Sequence, residues 1–272
     1  MSIPNVLSVA GSDPSGGAGV QADLKTFTAL GCYGMAALTS LTVQNTQGVR
    51  DVLHLDADFV LAQIRAIFDD IDVDAMKIGL VGNARTIRAL ADFIDEVKPR
   101  IVVLDPVMVA TSGDRLLSSH AVDVMNEALL PRCDIVMPNI PEAVALTGKK
   151  ASSAGGLEGL AKAVGGLGVK AVLLKGGHGF DDYMATDLLW TQEGVQSFSE
   201  PRIKTNNTHG TGCTLSAALT CFLAKGRILP EAVQEAKDYL TRCLSCAESL
   251  NVGRGHGPVH HFYDIQHGRE ET

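Results

Sequence analysis

The sequence feature that most constrains the fold is a regular alternation of short apolar runs with longer segments of helical periodicity. Buried strands are predicted for VLSVAG (6–11), IVVLDPVMV (101–109) and AVLLKGG (171–177). A hairpin at the sheet edge is predicted for TDLLWT (186–191) and VQSFSE (195–200), which only QEG separates. Strands that alternate with helices favour an α/β fold, a three-layer α/β/α sandwich with a mostly parallel central sheet.

The remaining periodic segments complete this pattern. Further strands are predicted at 36–44, 75–80 and 135–139. Helices are predicted near 19–31, 56–71, 83–97, 118–130, 156–167, 211–225 and 230–249, with a short one from residue 141 and coil from residue 251. Composition does not shift along the chain and no Pro/Ser-rich linker interrupts it, so we expect one domain over residues 1–272.

Composition and charge exclude several classes of partner. The chain has 272 residues, of which 46% are hydrophobic and 20% charged, as is typical of a globular protein. Its formal net charge is −8 and it has no Lys/Arg run, which argues against nucleic acids and anionic membranes as partners. We expect no membrane span and no signal peptide, because the N-terminus carries no basic leader and long apolar runs are absent. A cytoplasmic location follows as an expectation.

The six cysteines are scattered, which is typical of reduced cytosolic thiols rather than a disulfide framework. Cys243 and Cys246 form the only C-x-x-C motif, and it lies in a helical pattern with no second pair elsewhere. Two cysteines facing the core are therefore predicted here rather than a zinc site.

The first glycine cluster, GSDPSGGAG (11–19), follows a strand and opens a helix. The spacing resembles a P-loop, but Gly17 and Ala18 stand where that motif has Lys and Ser/Thr. Residues 17–22 fit a dinucleotide-binding pattern, which calls for an acidic residue about 20 positions on to hold a ribose. Position 39 is Thr, and the second strand ends in Gln44 and Asn45. A turn without a ligand stays open as an alternative. The interpretation we favour is a loop whose backbone approaches a flat, small substrate.

The second glycine cluster, NTHGTGCTLS (207–216), lies where a loop becomes a helix. Free amides at a helix start bind anions, and Gly210 and Gly212 allow these amides to close around a transferring phosphoryl group. Cys213 falls in the first helical turn, where the helix dipole is expected to lower a thiol pKa. It is predicted to be a general base or a reactive thiol, and the alternative is a small residue that fills the turn.

Polar side chains follow several predicted strands. Asp105, Asn139, Glu142 and Lys175 all lie at or just beyond the carboxyl end of a strand, where ligand sites form in such folds. Carboxylate and amide oxygens suit magnesium and its waters, and a lysine suits phosphates. Any one of them alone is more often a helix cap or a surface charge. Together with the anion-binding turn, they predict phosphoryl transfer.

These motifs carry a family resemblance. The chain resembles the ribokinase superfamily, and within it the hydroxymethylpyrimidine/phosphomethylpyrimidine kinases of thiamine biosynthesis. The matching stretches run in family order from residue 9 to residue 262 and include VAGSDPSGGAGVQADLKTF, LTVQNTQGV, AMKIGLVG, VVLDPVM, MPNIPEA, LLKGGH, NTHGTGCTLSAAL and GPVHHF. Cys213 stands where the sugar kinases of the superfamily have Asp, which fits the pyrimidine and pyridoxal branch.

The resemblance implies a homodimer that uses ATP and Mg²⁺ to phosphorylate 4-amino-5-hydroxymethyl-2-methylpyrimidine twice. The catalytic residues it implies are Cys213, Lys175 and the amides of Gly210, Thr211 and Gly212. Those implied for magnesium are Glu142, Asn139 and Asp105, and those for the nucleotide are Lys175, Asn139, Thr208 and His209. We expect Cys213 to take the proton of the substrate alcohol in the first step, and the second step to need a base much less.

The resemblance also implies a substrate pocket. The amide of Gln44 complements the donor and acceptor edge of an aminopyrimidine, and this is where the family has a substrate contact. The other residues implied for the pocket are Gly11, Ala18, Gly19, Asp23, Leu80 and Val107. Asp23 is equally compatible with a charge on a helix surface, and His260 and His261 have no assigned role. The alternatives are a pyridoxal kinase and a binding module that has lost catalysis.

Overall fold

A nine-stranded sheet forms the centre of the part of the chain that this computed structural model describes, residues 2–108, 116–176 and 183–267. In chain order the strands are β1 (Asn5–Ser12), β2 (Tyr33–Asn45), β3 (Gly48–His54), β4 (Ala75–Ile78), β5 (Val102–Leu104), β6 (Ile135–Val136), β7 (Ala171–Leu174), β8 (Met184–Thr191) and β9 (Gly194–Pro201). Their order across the sheet is β3-β2-β1-β4-β5-β6-β7-β8-β9. The six strands from β2 to β7 in this order pair in parallel, and β3, β8 and β9 add antiparallel edges.

Helices cover both faces of the sheet. In chain order they are α1 (Gly19–Ala29), α2 (Ala57–Phe68), α3 (Ala84–Val97), α4 (Ser119–Val124), α5 (Ile140–Thr147), α6 (Ala151–Ala154), α7 (Gly156–Gly165), α8 (Thr211–Ala224), α9 (Leu229–Ser245) and α10 (Tyr263–His267). A π-helical turn, Met125–Leu129, and a 3-10 turn, Leu130–Arg132, continue α4. A second 3-10 turn, Ala247–Ser249, follows α9.

Successive side chains of a strand point in opposite directions, so alternate residues of the central strands pack on opposite faces of the sheet. Leu7 and Val9 pack into a large apolar cluster with α2, α3, α4, α5 and α7, which we call the α2/α3 face. Val6 packs against α1 and α8 on the opposite side, which we call the α1/α8 face. Helix α9 lies on this second side as well. The predicted three-layer α/β/α sandwich is confirmed.

Several predicted elements need correction. The sequence does not predict strand β3, because its residues are mostly exposed and do not alternate clearly between apolar and polar. The strand predicted at 101–109 ends at Leu104, because Pro106 has no amide with which to extend the ladder. Helix 118–130 is α4 with its π and 3-10 turns, and the coil predicted from residue 251 contains α10. Val109, Gly177 and His178, which belong to quoted motifs, lie outside the described residues.

Both cysteines of the C-x-x-C motif pack into or against the core. Cys243 is fully buried, and Cys246 is half-buried against the same apolar cluster. Among the described residues, no three His, Cys, Asp or Glu side chains are grouped so as to hold a metal ion. Within the same residues every helix is too short or too polar to traverse a lipid bilayer.

Candidate active site

The carboxyl ends of β5, β6 and β7 bring the predicted polar residues to one edge of the sheet. The backbone of Lys175 continues β7 and donates to the carbonyl of Pro138 at 2.8 Å, which sets Lys175 level with Asn139. Asp105 follows β5 directly, and its amide donates to Ile78 at 2.9 Å. The site residues that the sequence predicts at three separate strands therefore lie side by side.

Lys175 lies at the centre of this edge. Its Nζ is 2.5 Å from Asp105 Oδ1 and 3.8 Å from Glu142 Oε2, and its side chain is 14% exposed. Burial lowers the pKa of Lys175, but the two carboxylates outweigh this effect and hold the pKa above its ordinary value. A Cβ atom on Gly212 would lie 3.4 Å from the same Nζ. The Lys175 ammonium therefore lies beside the first turn of α8, and its two carboxylate neighbours favour its protonated form.

Asn139 and Glu142 form a capping box at the start of α5. Asn139 Oδ1 accepts from the amide of Glu142 at 2.8 Å, and Glu142 Oε2 accepts from the amide of Asn139 at 2.7 Å. Burial raises the pKa of Glu142, and the charge of Lys175 opposes that rise. Both side chains therefore have structural partners in addition to any role toward a ligand.

The oxygen ligands at this edge of the sheet suit a hydrated magnesium ion better than one that is coordinated only by protein atoms. Asp105 and Glu142 supply two carboxylates, which is fewer than a closed oxygen cage requires, and both already contact Lys175. Magnesium sheds its waters reluctantly and is commonly bound through one or two carboxylates and substrate phosphates. The residues present fit an ion of that kind, held partly through its own waters.

The start of α8 leaves amides unpaired. Gly210 is the N-cap with φ +81° and offers no side-chain cap, while its carbonyl accepts from the amide of Thr214 at 2.9 Å. The amide of Thr211 donates weakly to Thr208 at 3.3 Å. Those of Gly212 and Cys213 have no hydrogen-bond partner among the described residues. These two amides have the orientation and freedom that an anion-binding turn requires.

The expectation that the helix dipole lowers the pKa of Cys213 is wrong. Burial raises the pKa of this thiol to about 11, despite the nearby ammonium of Lys77 and a hydrogen bond from the amide of Gly19. The carboxylates of Asp23 and Asp105 add to the rise. Desolvation and two anions therefore outweigh the helix terminus, and the thiol is protonated at neutral pH in the free protein.

Part of the predicted substrate pocket is assembled next to this edge. A Cβ atom on Gly11 would lie 3.0 Å from Leu80 Cδ2, and one on Gly19 would lie 2.3 Å from the carbonyl oxygen of Gly11. Gly11, Gly19 and Leu80 are therefore neighbours. Ala18 precedes Gly19 as the N-cap of α1. The amide of Val107 donates to the carbonyl of Asp105 at 2.8 Å.

Gln44 lies near the end of β2 and is half-buried. Its Oε1 is 3.1 Å from the hydroxyl of Thr42, which also lies 2.8 Å from the carbonyl of Ser12. The side chain of Gln44 is thus linked through Thr42 to Ser12, the second residue of the first glycine-rich loop.

Asp23 lies deeper than the pocket. It is fully buried on the α1/α8 face, where it accepts from Ser8 at 2.6 Å and from Lys77 at 2.8 and 2.9 Å. The alternative of a charge on a helix surface is wrong. Its oxygens are engaged by protein donors, and Lys77, which sequence reasoning missed, is its fully buried partner.

Sequence reasoning also missed Asp13, which is 2% exposed. Its carboxylate accepts hydrogen bonds from the loop that follows it and lies 2.7 Å from His209 Nε2. Burial raises the pKa of Asp13, but hydrogen bonds from His209 and Ser15 outweigh burial and leave the pKa below its ordinary value. The available signal was an Asp directly before Pro in a glycine-rich turn, a position where Asp binds its own backbone.

The C-terminal segment contacts the β2–β3 turn and the second glycine-rich loop. The hydroxyl of Thr46, in the β2–β3 turn, accepts from the amides of Arg254 and Gly255 at 3.3 and 3.2 Å. The amide of His209 donates to Gly257 at 3.0 Å. Residues 254–257 therefore span the distance between the β2–β3 turn and the turn before α8.

Two histidines of this segment are internal. His260 and His261 are both 2% exposed, and His261 Nε2 lies 3.1 Å from the hydroxyl of Thr214 on α8. Burial lowers the pKa of His261 to about 3, and nearby cationic groups add to that shift. His261 is therefore neutral at physiological pH, and it supports the start of α8 from behind.

Comparison with known proteins shows which family the chain resembles over nearly its whole length. Among solved structures, the chain is similar to the pyridoxal kinase of Staphylococcus aureus in complex with ADP, with a TM-score of 0.87 and 32% sequence identity. The match covers 97% of this chain and 96% of that one. Hydroxymethylpyrimidine/phosphomethylpyrimidine kinases from Salmonella typhimurium and Rhizobium meliloti are 47% and 50% identical, over 95% and 94% of this chain and 97% and 96% of theirs. The family model for phosphomethylpyrimidine kinase matches residues 13–260. The chain belongs to the phosphomethylpyrimidine kinase family.

Proposed function

We propose that the protein transfers the γ-phosphoryl group of ATP to 4-amino-5-hydroxymethyl-2-methylpyrimidine and then to the resulting monophosphate. The observation that carries the proposal is the position of Lys175 beside the unpaired amides at the start of α8. A fixed cation and free N–H groups at one point stabilise the charge that spreads over a transferring phosphoryl group. The nucleotide phosphates reach this point across Asn139, Thr208 and Lys175.

The pyrimidine lies against the first glycine-rich loop. Gln44 offers an amide donor and acceptor to the amino and ring nitrogen atoms of the substrate. Gly11, Leu80 and Val107 supply the apolar and backbone surface against which a flat ring packs, and Ala18 and Gly19 continue that surface toward Cys213. This arrangement directs the hydroxymethyl group of the ring toward the phosphoryl-transfer point.

The two phosphorylation steps differ in whether the attacking oxygen must lose a proton. In the first, the alcohol oxygen of the substrate bonds to the γ-phosphorus, the bond from that phosphorus to the bridging oxygen of ATP breaks, and the alcohol proton passes to the Cys213 thiolate. In the second, a phosphate oxygen of the monophosphate attacks, and this oxygen is already largely ionised at neutral pH. The Cys213 thiol is protonated at rest, since its pKa is raised to about 11, so only its minor thiolate form accepts a proton.

Glu142 and Asp105, with Asn139 beside them, would hold a magnesium ion through its waters. The ion would neutralise the charge of the nucleotide phosphates. Lys175 contacts both carboxylates, so its positive charge offsets part of their negative charge. Dialysis against a chelator abolishes turnover on this proposal, and added Mg²⁺ restores it.

The assembly is a homodimer in the cytoplasm. Leu41 and Leu53 lie opposite each other on β2 and β3 and are 39% and 62% exposed, and Val43 is 56% exposed. A second copy of the chain covers this apolar edge. Sedimentation equilibrium tests the dimer, and a Leu53→Glu variant that stays dimeric would show that another surface mediates it.

The first experiment is mass spectrometry of the products formed by the purified protein with Mg–ATP, with the pyrimidine and pyridoxal offered in separate tubes. One and then two added phosphates on the pyrimidine, with little product from pyridoxal, are the expected result. Lys175→Met is expected to abolish both products. The matched control is Lys170→Met, at the opposite end of β7, where the side chain is 73% exposed.

Pyridoxal kinase activity is the second candidate, favoured by the similarity to the Staphylococcus aureus pyridoxal kinase over nearly the whole chain. Single phosphorylation of pyridoxal alone would establish it in place of the pyrimidine kinase. Absence of ATP turnover with either compound would leave a binding module that has lost catalysis.

A further inference from the structure

One buried carboxylate joins the two glycine-rich loops. Asp13 Oδ1 accepts from the amide and hydroxyl of Ser15 at 2.9 and 2.7 Å. Asp13 Oδ2 accepts from the amides of Gly17 and Ala18 at 3.2 and 2.9 Å, and lies 2.7 Å from His209 Nε2. The side chains of Asp13 and His209 are 3% and 7% exposed, although 196 residues separate them in the sequence. The carboxylate thus folds its own loop and binds the other one.

The loops are in steric contact at the same place. A Cβ atom on Gly17 would lie 2.3 Å from His209 Cδ2, and one on Gly210 would lie 1.8 Å from the carbonyl oxygen of Gly17. A side chain at either position would push the loops apart, and Gly210 also has φ +81°. The backbone of His209 is fixed from the other side by the carbonyl of Gly257. Gly17 and Gly210 therefore allow the two loops to approach closely, and the hydrogen bond between Asp13 and His209 holds them together there.

Each loop carries one half of the proposed reaction. The first continues from Ala18 to Gly19, whose amide binds Cys213 Sγ, on the side of the pyrimidine. The second continues from His209 to the unpaired amides of Gly212 and Cys213, on the side of the phosphates. The distance between attacking oxygen and phosphorus depends on how these loops are set against each other.

We propose that Asp13 and His209 form a clamp that sets the spacing between the pyrimidine loop and the phosphate-binding turn, so that both are positioning residues. The proposal rests on the proposed function. It replaces the expectation that His209 contacts the nucleotide, because its Nε2 is already bound to Asp13 and its ring is buried.

The kinetic test compares His209→Leu, which cannot bind Asp13, with His209→Gln, whose amide nitrogen reaches the position of Nε2. His209→Leu is expected to lower kcat about 100-fold in both phosphorylation steps, the size of effect that a small misplacement causes, with KM for ATP changed less than about threefold. His209→Gln is expected to retain about a third or more of wild-type kcat. If His209→Leu does not fold, His209→Asn, whose amide is too short to reach, takes its place.

The control is Ser15→Ala, which removes a hydrogen bond to the same carboxylate within one loop and leaves the bond between the loops. Its kcat is expected to stay near that of wild type. A rise in KM for ATP with kcat unchanged in His209→Leu would overturn the clamp in favour of direct nucleotide contact. Equal losses in His209→Gln and His209→Leu would overturn it too.

A double-mutant cycle with Asp13→Asn tests whether the two residues act together. If they form one clamp, the double variant Asp13→Asn/His209→Leu loses no more kcat than the more impaired single variant. Multiplied losses would show that the residues act separately and would overturn the proposal.

Hydrogen exchange gives a readout that does not depend on the substrate. In His209→Leu without ligands, the amides of residues 15–18 are expected to exchange about tenfold faster than in wild type, and those of α3 at the wild-type rate. Unchanged exchange at residues 15–18 would overturn the clamp even if the kinase activity holds. Faster exchange at residues 15–18 in His209→Leu, found together with a wild-type protein that phosphorylates neither compound, would retain the clamp and reject the proposed function.

Discussion

The two faces of the sheet are built differently from the same strands. On β4, Met76 and Ile78 point into the α2/α3 face, where the buried cluster is apolar. Lys77, between them, points into the α1/α8 face and forms a fully buried ion pair with Asp23. Because strand residues alternate in direction, one strand supplies apolar side chains to one face and a buried charge to the other.

The helix starts differ in the same way. Helices α2, α3, α4 and α5 begin with side chains that cap their first amides, namely Asp56, Asn83, Ser118 and Asn139. Helices α1 and α8 begin at Ala18 and Gly210 without a side-chain cap, as does α7 at Gly155 on the α2/α3 face. Most helix starts on the α2/α3 face are therefore stabilised locally by a capping side chain, whereas those of α1 and α8 are not.

The largest loss of stability is expected from breaking the buried ion pair between Lys77 and Asp23. Lys77→Met leaves Asp23 without its cation and is expected to lower the free energy of unfolding by about 3–5 kcal/mol. The control is Met76→Leu, the adjacent residue on the opposite face, with an expected cost below about 1.5 kcal/mol. Urea denaturation measures both.

The double variant Lys77→Met/Asp23→Leu removes both charges and is expected to regain most of the stability lost in Lys77→Met. A cost for Lys77→Met no greater than that for Met76→Leu would remove the energetic contrast between the faces.

The next effect separates the two phosphorylation steps. Cys213→Ala is expected to slow the first step about 100-fold, as loss of a general base does, and to leave the second within a few-fold of wild type. Single-turnover assays with the pyrimidine and with its monophosphate measure the two steps. Equal losses would assign Cys213 a positioning role alone.

The pH dependence of the first step sharpens this point. Since the pKa of Cys213 is raised to about 11, the thiolate fraction, and with it the rate of the first step, should rise about tenfold per pH unit between pH 7 and 9. The second step, whose attacking oxygen is ionised above about pH 6, should stay nearly flat. A flat profile for both steps would argue against the thiolate as base.

The smallest effect lies on the α2/α3 face. Asn83→Ala removes the oxygen that accepts from the amide of Thr86 and should cost about 1 kcal/mol of stability. No change in kcat is expected, because α3 lies on the apolar side. A matching loss of kcat would show that the two faces are not independent.

The sequence predicts what local periodicity and motifs determine. Buried strands and amphipathic helices have clear patterns, and Lys175 and Gly212 are found at the ends of recognisable elements. Strand β3 lacks such a pattern, because its edge position leaves both faces partly exposed. The prediction of a single domain over residues 1–272 stays a prediction, as do the roles of the site residues.

The rest depends on contacts between distant segments. The pairing of Lys77 with Asp23 and of His209 with Asp13 arises only when helices pack on the sheet, and no local pattern encodes it. The pKa of Cys213 likewise depends on contacts that no local sequence pattern encodes. Its place at a helix start predicts a lowered value, whereas burial and the carboxylates that tertiary packing brings close produce a raised one.

The contact between Thr46 and residues 254–255 has a consequence for biosynthesis. The hydroxyl of Thr46 binds an amide 209 residues further along the chain, so the ribosome makes the β2–β3 turn long before its partner exists. The glycine-rich turn at residue 209 also waits, for Gly257. The sheet can assemble progressively during translation, but the β2–β3 turn and the turn before α8 acquire these contacts only when this late segment emerges.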